Sequence, residues 1–331
     1  MTEPRFDIVA VGNALVDVIA HADDAFLKRQ GLHKGAMQLI DAGHAVKLYG
    51  AMGPGVETSG GSAANTLAGM AMLGCKCAHI GQVADDELGR VFAHDLKSVG
   101  VEFQNAGRAN LDPTGRCLIV VTPDGQRTMN TLLGASAQLR PEDIDHDLIR
   151  AGALLYLEGY QWDASGPRSA MRAAIDTARA AGRKVALTLS AEFCVNEHRA
   201  DWLALMHAGQ IDILFGNAEE LLALAETDDY EAAVAKISPL VPLLVATHGP
   251  QGARAITRDA RAEVPAAPVD QVLDTTGAGD LFAAGFLTGQ ARGADLRTCL
   301  EMGAICAAEC ISHVGPRPQV DLSKLVGPLL P

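Results

Sequence analysis

No apolar stretch in this sequence approaches the roughly 20 residues needed to cross a bilayer. Its opening residues, MTEPRFDIVAVGNALVDV, lack a basic start followed by an apolar run and a small-residue cleavage site, so they do not read as a secretory signal. Basic residues are outnumbered: 27 Lys and Arg stand against 40 Asp and Glu, a formal net charge of −13. That argues against a nucleic-acid partner, whose phosphates need a basic face. It does not exclude a nucleotide, because a local pocket can differ from the mean. The seven cysteines (Cys75, Cys77, Cys117, Cys194, Cys299, Cys306 and Cys310) are odd in number and dispersed. Cys75 and Cys77 stand too close for an ordinary zinc knuckle, and no Cys/His cluster completes a metal site. They read as reduced, buried small hydrophobes in a cytoplasmic protein. Internal repeats and low-complexity linkers are also missing.

What is present is an ordinary globular composition, 48% apolar and 20% charged over 331 residues, enough for one large domain or one with a smaller partner. FDIVAVG, ALLYLEG, KVALTLS, IDILFG and PLLVATHG are short apolar runs with the pattern of buried strands. Helical patterns such as SAANTLAGMAMLG, DELGRVFAHDLKSVG and AGDLFAAGFLTGQ alternate with them. Such alternation predicts parallel βαβ units, hence a three-layer α/β/α sandwich around a mostly parallel sheet. Segments near 14–41 and 103–134 break the rhythm. The second contains a strand–Pro-Asp-Gly–strand hairpin, so the two together predict a small β-sheet lid over one edge.

The stretch DTTGAGDLFAAGFL, Asp274 to Leu287, places a carboxylate directly after a glycine-rich turn. Gly277 and Gly279 permit backbone angles a Cβ forbids, and the amides from Gly277 through Ala278 and Gly279 to Asp280 are expected to be unpaired at a helix start. With the helix dipole they would make an anion site, whose field should keep Asp280 ionised. A base beside an anion hole suits phosphoryl transfer. The bland alternative is a helix cap and a turn. The motif is neither a Walker loop, since no Gly-Lys-Ser/Thr follows, nor a dinucleotide fingerprint, since the third glycine is missing.

DTTGAGDLFAAGFL resembles the C-terminal signature of the ribokinase-like (PfkB) carbohydrate and nucleoside kinases, and SGGSAANTLAGMAMLG, Ser59 to Gly74, resembles their N-terminal glycine signature. VGNALVD, PTGRC, LTLSAEF and DILFGNAEE further resemble segments of adenosine kinases. The resemblance implies an ATP-dependent, Mg²⁺-dependent kinase with a nucleoside or sugar acceptor, as monomer or homodimer. It implies that Asn13, Asp17, Gly61, Ser62 and Asn65 bind the acceptor, with Asp17 gripping ribose hydroxyls. Asn217 and Glu220 would hold Mg²⁺ and ATP phosphates largely through water. Read alone they are a helix N-cap and a first-turn acid. Thr247 and Gly249 would meet the phosphates, as would Arg127 on lid closure, unless Arg127 is merely an exposed hairpin residue. Tyr160 stands where an aromatic stacks on a purine, or is an ordinary strand-end ring. Met37 departs from the polar residue expected for strict adenine preference. A monovalent cation such as K⁺ would lie near Asp274, Thr276 and Gly315.

The leading expectation is therefore phosphorylation of the 5′-hydroxyl of adenosine. The alternatives are a sugar kinase of the same fold, acting on ribose or fructose, and a non-catalytic binding regulator.

Overall fold

The computed structural model describes residues 3–105 and 108–330. Fourteen strands occur among them: β1 (Phe6–Val11), β2 (Leu15–His21), β3 (Met37–Leu39), β4 (Gly55–Gly60), β5 (Cys77–Ile80), β6 (Val101–Gln104), β7 (Thr114–Val121), β8 (Arg127–Gly134), β9 (Gly152–Glu158), β10 (Lys184–Thr188), β11 (Ile213–Asn217), β12 (Leu243–Thr247), β13 (Ala253–Thr257) and β14 (Arg261–Val264). Nine of them form one sheet in the order β14-β13-β12-β11-β10-β9-β1-β5-β6. The seven strands from β12 to β6 run parallel, and β13 and β14 add an antiparallel edge.

The parallel strands bury both faces, which is why they read as unbroken apolar runs. Along β1, Ile8 and Ala10 enter one core, while Val9 and Val11 enter the core on the opposite face. Leu243 and Val245 against Leu244 and Ala246 repeat that division along β12. Helices Ser62–Met72, Ala278–Ala291 and Leu296–Ile311 cover the first face, and Ser165–Ala180, Glu192–His207 and Ala218–Ala225 the second. The result is the ribokinase-like α/β/α arrangement. Helix Glu192–His207 lies outside the sequence-based expectation, and a break at His198 (φ −120°, ψ 18°) interrupts its periodicity.

The remaining strands form a second sheet in the order β3-β8-β7-β2-β4. Its composition corrects the expected boundaries in two ways. β4 lies beyond residue 41 yet pairs antiparallel with β2, from Leu15 opposite Gly60 to Ala20 opposite Gly55. Its sequence GVETSG is exposed over the first three residues and carries no alternation that would announce a strand. Conversely, β6 overlaps the start of the 103–134 segment but pairs with β5 at the edge of the large sheet. All seven cysteines are free and buried.

His79 on β5 is fully buried, and neither ring nitrogen meets a partner among the described residues. Its ring packs on Phe103 and Phe92, each 5.9 Å away between centroids. Burial pushes its pKa down to about 3. A histidine held neutral stabilises the fold above its unfolded pKa near 6.5, and that contribution is lost as the pH falls from there towards 3. At pH 5 the loss is about 2 kcal/mol. In urea unfolding at pH 7.5 and pH 5, the stability of the wild type relative to His79→Phe should fall by that amount at the lower pH, since the buried acids act alike in both proteins; equal pH dependence of the two would refute the assignment.

Candidate active site

The carboxyl ends of the parallel strands open into a cavity of about 420 Å³. Glu158, Asn217 and Thr247, which end β9, β11 and β12, lie on its wall, as does Asn13 just after β1. Asp17, Met37 and Met129 of the small sheet line it as well, so both sheets enclose one space. Such a crevice is where open α/β sheets hold ligands.

At its floor, Gly277 caps helix Ala278–Ala291 with φ 79°, and a Cβ there would stand 2.6 Å from Cβ of Pro316. Only glycine meets both demands. Gly277, Gly279 and Asp280 line the cavity, but Ala278 does not. The expected row of free amides is also incomplete, because Ala278 N–H donates to the Thr275 carbonyl at 3.2 Å, closing the turn. The amides of Gly277, Gly279 and Asp280 meet no acceptor among the described residues.

Helix Ser62–Met72 packs against Ala278–Ala291 and delivers two donors to the Asp280 carboxylate. Ser62 Oγ donates to Oδ1 at 2.6 Å, and Asn65 Nδ2 to Oδ2 at 2.9 Å. Asn65 Oδ1 is buried and receives no hydrogen bond. Burial raises the Asp280 pKa above its usual value, and the Ser62 and Asn65 hydrogen bonds and the Arg317 charge oppose it. The expectation that the helix field alone settles its ionisation thus needs correction: desolvation is the larger effect.

Asn13, Asp17, Gly61, Ser62, Asn65 and Tyr160 all line the same cavity. Gly61 has φ 96°, and a Cβ would stand 2.3 Å from the Asn13 carbonyl. Asp17 is buried, and desolvation pushes its pKa up to about 7 despite Arg317 and Arg127. Glu158, which the sequence reading missed, is fully buried on the wall. Its carboxylate accepts from Asn13 N at 2.9 Å, Asn13 Nδ2 at 2.7 Å and Ala63 N at 2.7 Å. Ser136 Oγ donates to Asn13 Oδ1 at 2.7 Å, so the Asn13 side chain is fixed at both ends.

Phe193 was also missed. It is 43% exposed, lines the cavity, and its ring centroid lies 6.0 Å from that of Tyr160 at an interplanar angle of 40°. Ser190, also on the cavity wall, adopts φ 72°, a left-handed conformation unusual for a side-chain-bearing residue. Its hydroxyl accepts from Gly159 N at 2.8 Å, just before Tyr160.

Asn217 and Glu220 make a reciprocal capping box at the start of helix Ala218–Ala225. Glu220 N–H donates to Asn217 Oδ1 at 2.8 Å, and Asn217 N–H and Nδ2 donate to Glu220 Oε2 and Oε1 at 3.0 and 2.9 Å. The cap and the cavity wall are the same two residues. Each Glu220 oxygen accepts one hydrogen bond here and keeps a lone pair, so the pair suits a hydrated Mg²⁺ held through water. Thr247 lines the cavity; Gly249 does not.

Two expectations are corrected beside the turn. Arg127 is neither exposed nor on the cavity wall; it is buried, with Nη2 3.0 Å from Asp274 Oδ2. The same carboxylate accepts Gly315 N–H at 2.8 Å and Thr276 N–H at 3.0 Å. The Thr276 carbonyl accepts the Cys310 thiol at 3.3 Å. Asp274, Thr276 and Gly315 therefore do not fit a monovalent cation, which would meet a guanidinium already seated on its carboxylate.

The profile of the pfkB family carbohydrate kinases matches residues 37–322. The chain is 45% identical to the adenosine kinase of Sinorhizobium meliloti, with a TM-score of 0.92 over 98% of this chain and 99% of that one. It is 43% identical, again at a TM-score of 0.92, to a "probable sugar kinase" from Rhizobium etli, over 98% of both chains. It is 28% identical to the adenosine kinase of Saccharomyces cerevisiae over 96% of this chain and 97% of that protein. With the fold, the glycine turns and the paired acid in agreement, this chain belongs to the pfkB family and is an ATP-dependent kinase.

Proposed function

We propose that the protein transfers the γ-phosphoryl group of ATP to the 5′-hydroxyl of adenosine, giving AMP and ADP. The observation that carries this reading is one cavity with a held carboxylate, Asp280, beside free amides, and an aromatic pair, Tyr160 and Phe193, at its acceptor end. Planar rings suit a planar base, and Asp17 with Asn13 suits the ribose hydroxyls.

In the reaction the 5′-oxygen attacks the γ-phosphorus, its proton passes to Asp280, and the bond from phosphorus to the ADP oxygen breaks. The Gly277, Gly279 and Asp280 amides offset the charge on the migrating group. Mg²⁺ held by Asn217 and Glu220 through water would supply charge neutralisation of the ATP phosphates. The small sheet, by keeping water from the acceptor side, would favour transfer over hydrolysis.

A second reading, phosphorylation of a sugar such as ribose, draws support from Glu158, an extra carboxylate on the wall that suits a polyhydroxy acceptor, and from the match to the Rhizobium etli protein.

Three experiments test these assignments. Asp280→Asn should lower kcat by ~10²-fold or more with a modest change in acceptor affinity, and near-normal turnover would rule out the base. With Mg-ATP, ADP release should be fastest on adenosine among nucleosides and sugars, and Tyr160→Ala should raise the adenosine KM by roughly ten- to a hundredfold, the worth of one stacked base. Strong activity on ribose or fructose that ignores Tyr160→Ala would establish the second reading instead. Finally, exchanging K⁺ for tetramethylammonium at fixed ionic strength should change kcat by less than about twofold, because Arg127 repels a cation at Asp274. Activation by K⁺ above about tenfold would show that Arg127 yields the site.

A further inference from the structure

Three consecutive residues near the C-terminus each brace a different part of the site. Gly315 N–H donates to Asp274, Pro316 lies against Gly277, and Arg317 reaches across to the N-terminal glycine turn. The partly buried Arg317 donates from Nε and Nη2 to the Ser59 carbonyl at 3.2 and 3.0 Å. Nη2 also donates to Ser59 Oγ at 2.9 Å, and Nη1 to the Ala64 carbonyl at 3.0 Å. Ser59 is the last residue but one of β4, two residues before Gly61, and Ala64 sits in the first turn of helix Ser62–Met72. The guanidinium therefore spans the turn that presents Ser62 and Asn65 to Asp280.

All these acceptors are neutral. No described carboxylate comes within ion-pairing distance of Arg317. Its charge acts instead at longer range on Asp17 of β2, Asp280 of helix Ala278–Ala291 and Asp95 of helix Glu87–Ser98. Asp95 Oδ2 in turn accepts Ser59 N–H at 2.9 Å, so Ser59 is clamped from both sides. The other ionisable groups facing this region are Asp274 and Arg127 towards Asp17, neutral His79 towards Arg317, and Glu158 and Glu220 towards Asp280. The cavity wall itself carries no Lys or Arg among the described residues, which leaves Arg317 and Arg127 as the cations acting on Asp17 from behind it.

We propose that Arg317 is a positioning residue for phosphoryl transfer: it fixes the Ser59–Ser62 turn that presents Ser62 and Asn65 to Asp280, and its positive charge, held behind that turn, opposes the desolvation of Asp17 and Asp280. This rests on the reading of Asp280 as the base. A spanning guanidinium without a direct anionic partner suits that double task, because a contact ion pair would spend its field on one carboxylate alone. A lysine in its place keeps the charge but not the planar fork.

The test is the pH dependence of kcat and kcat/KM with saturating Mg-ATP, from pH 5.5 to 9, for wild type, Arg317→Gln and Arg317→Lys, with Asp280→Asn as control. Arg317→Gln should move the acidic limb of kcat/KM upward by about one pH unit, as expected for a lost opposite charge. Its kcat at pH 7 should fall about tenfold and recover in part at pH 8.5. Arg317→Lys should keep the wild-type limb while kcat falls several-fold at every pH. A pH-independent loss in Arg317→Gln, or a limb displaced equally in Arg317→Lys, overturns the electrostatic role. If Arg317→Gln does not fold, Arg317→Lys with a displaced limb still refutes it. An active Asp280→Asn would remove the base itself, an outcome separate from an unmoved limb in the Arg317 variants.

Discussion

Five carboxylates, those of Asp17, Glu158, Asp163, Glu220 and Asp280, line one cavity in which no basic side chain stands among the described residues. The rest of the site follows from the need to keep some of that charge in place. Desolvation pushes Asp17, Glu158 and Glu220 up to about 7 and raises Asp280 as well. Backbone and side-chain donors work in the opposite direction: Asn13 and Ala63 on Glu158, Asn217 on Glu220, Ser62 and Asn65 on Asp280. Each of these donors belongs to a strand end or a first helical turn, where main-chain and side-chain groups are free to point at a ligand. The parallel sheet gathers those ends on one side, and so the topology precedes the chemistry.

The Glu158 network shows how rigidity is built. Glu158 joins the turn after β1 to the first turn of helix Ser62–Met72, and Asn13 passes the contact on to Ser136. Gln161 Nε2 closes the loop by donating to Asn13 Oδ1 and Ser136 Oγ, each at 3.2 Å. A buried polar network of this kind holds its members in one arrangement because any departure strands a polar group. Cavity groups supported in this way would need little reorganisation when a ligand arrives.

Much of this was legible in the sequence, and the parts that were not share a cause. Apolar runs and helical spacings are local, and they announced β1, β9, β10, β11 and β12 and helices such as Ser165–Ala180 and Ala218–Ala225, though not Glu192–His207, whose spacing is broken at His198. The turn at Gly277 and the acid at Asp280 were legible because the constraint, glycine next to a helix start, is local too. Glu158 was silent: its partners lie 145 and 95 residues away, and nothing in LEGYQW predicts them. Arg317 reaches Ser59 across 258 residues, and in SHVGPRPQ it reads as a surface loop. Arg127 reads as a hairpin-tip charge until β8 is laid beside the turn at Asp274. β4 hid for a different reason. An edge strand with three exposed residues needs no apolar pattern. At Asn217 and Glu220 the capping reading holds, and the cap that starts the helix is also part of the cavity wall.

The burial that makes the site also sets two opposed pH dependences in the fold. An acid whose folded pKa is raised stabilises the folded state only while it is protonated. For Asp17 that contribution is present below about 3.8, declines as the pH rises, and is gone above about 7. His79 has the reverse sign and is most favourable once neutral. Near neutrality the buried acids are therefore where the fold has lost stabilisation, and the β5 core is where it has gained it. A ligand that donated hydrogen bonds to these carboxylates would offset that loss, and its binding would stabilise the folded state accordingly. The same reasoning explains why the counter-charges sit behind the wall instead of on it. A lysine or arginine inside the cavity would neutralise the acids by direct contact and leave them nothing to offer a hydroxyl, whereas a guanidinium bonded to neutral carbonyls keeps its field while leaving the carboxylate oxygens free.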